Sequence, residues 1–129
     1  AEGGTLFLDE VAEVPLPQGQ RLWVRTSGHA VRDEAGRIVR VEVSADGGTT
    51  WTDVALQSPA LPRCFTRFRM PWRWDGRPAL LKSRATDEAG HVQPERTALL
   101  AERGRAGYFH YNAIVAWAVD DDGLVSHSY

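Results

Sequence analysis

The stretch RIVRVEVSADGGTTW, residues 37–51, constrains the fold of this chain more than any other. Val39, Val41 and Val43 alternate with Arg40, Glu42 and Ser44, which is the period of a strand with one buried face. The run ends on Asp46-Gly47-Gly48. These residues tolerate positive φ and turn the chain back into TTWTDVAL, where Trp51 and Val54 resume a strand, so the segment reads as a β-hairpin.

The rest of the chain continues in short strands and turns. In CFTRFRMPWRWDG the residues Phe68, Met70, Trp72 and Trp74 fall on one face, with Arg67, Arg69 and Arg73 on the other. Pro71 has no N–H for a ladder, so this strand lies at an edge or breaks there. PALLKSRATDEAG reads as a strand to about Ala85, closed by a turn over Asp87 to Gly90. One helix is expected near residues 94–103: Pro94 suits a first helical position, Glu95 favours the positive end of the dipole, and Gly104 suits the position after the last turn. HYNAIVAWAV is a final strand with Ala113, Val115, Trp117 and Val119 on one face, stopping at DDDG. Such spacing predicts an all-β antiparallel sandwich with one short helix.

At 129 residues and 14.3 kDa there is room for one core. Residues 1–20 differ in character: AEVPLPQGQ holds two prolines and a glycine, a stiff non-helical connector. The expected division is a leader over 1–20 and a domain over 21–129. A net charge of −2, with both signs spread along the chain, disfavours nucleic acid and anionic membrane as partners. Apolar runs fall far short of the roughly 20 residues that span a bilayer, and no signal peptide heads the chain. The single cysteine, Cys64, excludes an internal disulfide and reads as a packed thiol beside Phe65.

Little in the sequence points to catalysis. GGTLFLDEV at residues 3–11 resembles the Walker B segment of NtrC-type AAA+ activators, a likeness extending over residues 1–18, where Asp9 and Glu10 would serve magnesium and a water. No G-x-x-x-x-G-K-[ST] loop accompanies it, so nucleotide hydrolysis is not expected. His29, His91, His110 and His127 show no spacing with carboxylates that argues for a metal, and no serine sits in a nucleophile elbow. The aromatic face of RFRMPWRW, with Phe68, Trp72 and Trp74, is the candidate core or subunit contact. Its arginines lie on the opposite face, unlike an aromatic platform for single-stranded nucleic acid.

Four motifs in order, GHAVRDEAGRIVRVEVSADGGTTWTDVAL, TRFRMPWRWDG, SRATDEAGHVQP and YFHYNAIVAWAV, resemble the C-terminal dimerisation domain of the sulfite oxidase family of molybdenum oxidoreductases, closest to the SoxC-type sulfur dehydrogenases. The resemblance implies an immunoglobulin-like sandwich that pairs two catalytic subunits as a homodimer and is not catalytic alone. It implies that molybdopterin belongs to a separate, absent catalytic domain, with no cofactor bound by this chain, and that the compartment is the periplasm. In animal members the strand resembling YNAIVAW carries an arginine four residues after the asparagine, reaching into the sulfite pocket. Here Ala116 stands at that distance from Asn112, which makes it the pocket-facing position and implies sulfur carried on a protein as substrate. The other reading is a free-standing immunoglobulin-like binding module.

Overall fold

The computed structural model describes residues 21–24, 27–28, 37–61, 66–104 and 112–128. The expectations for residues 1–20, Cys64, His29 and His110 lie outside them. In chain order the described elements are β1 (Arg21–Val24), β2 (Ser27–Gly28), β3 (Ile38–Ser44), β4 (Thr52–Val54), β5 (Leu56–Gln57), β6 (Thr66–Phe68), β7 (Met70–Arg73), β8 (Ala79–Asp87), α1 (Arg96–Arg103), β9 (Val115–Val119) and β10 (Val125–Ser128).

The strands form two antiparallel layers. One is a five-stranded sheet in the order β10-β9-β8-β3-β4. In the other, β6 lies between β2 and β5, and β7 pairs with β1. The pairs Ser27↔Arg67 and Val24↔Met70 share one register, so residues 21–24 and 27–28 run against 66–73 as one interrupted ladder. Pro71 lies opposite Trp23 in a strand with one neighbour, where a missing N–H is tolerated.

The hairpin forms as its turn chemistry dictates. Gly47 and Gly48 take φ of 73° and 100°. The Asp46 carboxylate accepts from the Thr50 amide at 2.8 Å and the Thr50 hydroxyl at 2.6 Å, while the Ser44 hydroxyl donates to it at 2.7 Å and accepts the Gly48 amide at 2.8 Å. Side chains thus satisfy the turn that the glycines make possible.

The valine alternation holds at Val41 and Val43 and fails at Val39. The register between β3 and β8 steps between Ile38 and Arg40, which turns Ile38 into the core and leaves Val39 49% exposed. An extra residue in one strand reverses the faces beyond it. The helix also begins later than Pro94. The Gln93 amide donates to Ala85 O at 2.9 Å, and Pro94 O accepts from the Ile114 amide at 2.8 Å, so backbone bonds to β8 and to Ile114 hold both residues outside the helix. Glu95 becomes the N-cap, and Gly104 at φ 57° closes the helix with its amide on Leu100 O.

Two clusters fill the space between the layers. Ile38, Val41, Val43, Phe68 and Ala85 form one, and Trp74, Leu81, Val119 and Val125 the other, with Trp72 and Trp117 packed against it. Phe68 and Trp74 are 1% and 2% exposed, so two of the three candidate contact residues are core. The sandwich closes over them because strand alternation aims them inward, and the Trp74 indole N–H is satisfied by Arg77 O at 2.7 Å. One strand was not expected. At DDDG the Asp120 carboxylate accepts the Asp122 and Leu124 amides at 3.0 and 2.8 Å, Gly123 takes φ 79°, and the chain returns as β10 to place Val125 in the core.

Candidate interface: the outer face of the five-stranded sheet

The side chains of β3, β4 and β8 that point away from the core form a row of alternating charge. Register sets Glu42 between Asp53 and Arg84 as Cα partners, and opposite charges at such positions attract. The Arg84 fork grips Glu42 with Nε–Oε2 at 2.7 Å and Nη2–Oε1 at 3.1 Å. Arg40 bridges Glu42 and Asp53, with Nη2 at 3.1 Å from an oxygen of each. Arg84 also lies 4.2 Å under the centre of the Trp51 ring, whose N–H is fixed on Gly48 O at 3.0 Å. Between two guanidinium groups Glu42 is buried although it faces outward. The Arg84 hydrogen bonds hold its carboxyl below the usual glutamate range, and Arg40 does the same for Asp53.

Beside this row β8, β9 and α1 enclose a depression of about 270 Å³, lined among others by Lys82, Glu95, Arg96, Thr97, Ala116 and Ser128. Ala116 is the Cα partner of Lys82 on one side and Ser128 on the other, so all three share the outer face. Lys82 Nζ meets both Glu95 oxygens at 3.0 and 3.1 Å. The N-cap carboxylate is thereby drawn onto the sheet, and the helix carries no side-chain cap.

Among the described residues no three His, Cys, Asp or Glu side chains converge as metal ligands. Of the expected positions, Ala116 borders the depression, Trp72 is half-buried against the core, and Phe68 and Trp74 lie inside it. Among the histidines, the His91 ring meets the Asp87 carboxylate, four residues before it, at 3.0 Å across a turn. Sequence reasoning missed the Arg84–Glu42–Arg40–Asp53 network. Its only trace is opposite charges at outward strand positions, which needs the register to be read.

The family model of the Mo-co oxidoreductase dimerisation domain matches residues 10–117. The chain belongs to this family. The match to the dimerisation domain begins inside the segment that composition sets apart. Among solved structures, the crystal structure of the sulfane dehydrogenase SoxCD from Paracoccus pantotrophus is similar, at 49% identity and a TM-score of 0.69. The alignment covers 73% of this chain and 24% of that one, so this dimerisation domain spans about a quarter of the SoxCD chain. No curated protein sequence matches. The all-β sandwich with one short helix is the fold that the resemblance implied, and no helix among the described residues is long and apolar enough to cross a membrane.

Proposed function

We propose that this chain pairs two subunits of a SoxC-like molybdenum enzyme of sulfur oxidation and performs no catalysis by itself. The observation that carries this reading is the 49% identity to SoxCD within a chain that belongs to the dimerisation-domain family. In this reading molybdopterin is held by a catalytic domain outside this chain, and a parent of this kind works in the periplasm. In this reading the depression at Ala116 is turned toward that domain.

The test is the mass of the purified chain in solution. Light scattering at high micromolar concentration should return twice 14.3 kDa. A strict monomer would overturn pairing by this chain alone and favour the free-standing module.

A further inference from the structure

The outer faces of the two layers treat charge differently. On the five-stranded sheet and its flank, Arg37, Arg40, Lys82 and Arg84 each meet a carboxylate. On the other layer Arg67, Arg69 and Arg73 are exposed, and none of the three has a carboxylate partner among the described residues. Strand alternation puts all three on one side, opposite the buried Thr66, Phe68 and Trp74. The chain as a whole is at −2, so this is a local excess rather than a basic protein.

We propose that the outer face of β6 and β7 docks an extended acidic segment of a partner protein, with carboxylates at alternate positions set over Arg67 and Arg69. Two residues along a strand are roughly 6.5–7 Å, and an extended peptide repeats its side chains at the same pitch. An Asp/Glu-x-Asp/Glu sequence therefore meets Arg67-x-Arg69 without strain, and each guanidinium fork takes one carboxylate. Pro71, exposed between Arg69 and Arg73, keeps that stretch from donating to a further strand, so side chains carry the contact. Single-stranded nucleic acid fits less well. It needs aromatic rings beside the cations, and here Phe68, Trp72 and Trp74 point the other way.

The experiment measures anisotropy of a labelled peptide of alternating Glu and Ser, about ten residues long so that it spans the strand, with the 129-residue chain in low salt. The peptide should bind, weaken as salt rises, and lose at least about tenfold in affinity to the double variant Arg67→Ser/Arg69→Ser. Arg67→Lys/Arg69→Lys keeps the charge but not the fork and should lie between them. Both positions are exposed, so the melting temperature and the light-scattering mass should match the parent chain. The proposal is overturned by equal affinity in the serine variant, by a thymidine oligonucleotide of equal charge binding more tightly than the peptide, or by a changed mass in the variant, which would make the stripe a contact between copies of this chain.

Discussion

Glu42 shows how a charged residue is held inside a face that a strand pattern marks as solvent. The Arg84 fork and one nitrogen of Arg40 hold it, with Trp51 stacked on Arg84, so removing its charge leaves Arg84 without the partner that orients it. Glu42→Gln should cost about 1–3 kcal/mol in urea denaturation. By contrast Arg37→Ala breaks a pair whose side chains are 57% and 43% exposed, and should cost about 0.5 kcal/mol or less. Equal losses would show that the network is no more than a set of surface contacts. The pH dependence follows from the same carboxylates. Asp46 is lowered from 3.8 to about 2, chiefly by the Thr50 hydroxyl and amide, and Glu42, Asp53 and Asp87 are also lowered. A group with a depressed folded pKa contributes stability above its unfolded pKa and loses it as pH falls through the folded value. The denaturation midpoint should therefore hold down to about pH 4 and fall toward about pH 2. Asp46→Asn should flatten that acid limb, and a limb unchanged by the substitution would place its cause elsewhere.

At the scale of elements, β7 matters more for what it buries than for what it exposes. Trp74 follows that strand and is enclosed by Leu81, Val119 and Val125. Trp74→Ala should cost about 3–5 kcal/mol and lower the melting temperature accordingly. Loss of self-association with unchanged stability would instead return Trp74 to a subunit contact. The elements legible in sequence were those whose period and turn residues agree: the β3–β4 hairpin, the arginine and aromatic faces of residues 66–74, and β8. Elements set by distant partners were not legible. The bulge at Val39 depends on pairing with Asp87 and Thr86, and the start of α1 on backbone bonds from Gln93 and Pro94. β10 is four residues long and polar at Ser126, His127 and Ser128, so its pattern carries little apolar signal and its place comes from β9.

For the whole molecule, sandwich and family were readable because four motifs span most of the chain, whereas the candidate site was readable only at Ala116. That position sits beside Lys82, whose charge Glu95 already neutralises, so the depression offers no free cation from that pair. In the intact parent enzyme Ala116→Arg should tighten sulfite or sulfate binding by at least about tenfold, or about 1.4 kcal/mol. Unmoved anion affinities would mean that Ala116 does not reach the pocket.

The ladder of β1 and β2 against residues 66–73 also bears on how the chain folds. Its outermost pair, Arg21 and Arg73, is 52 positions apart, whereas Val43 and Thr52 across the hairpin are 9 apart. Closing the longer loop costs about 1.5 kcal/mol more in chain entropy. The β3–β4 hairpin is thus the natural nucleus, and the second layer condenses onto it late, after its contacts can repay that closure. In a chevron experiment Val43→Ala should mainly slow refolding, and Met70→Ala should mainly speed unfolding. The reverse assignment would make the long ladder the nucleus.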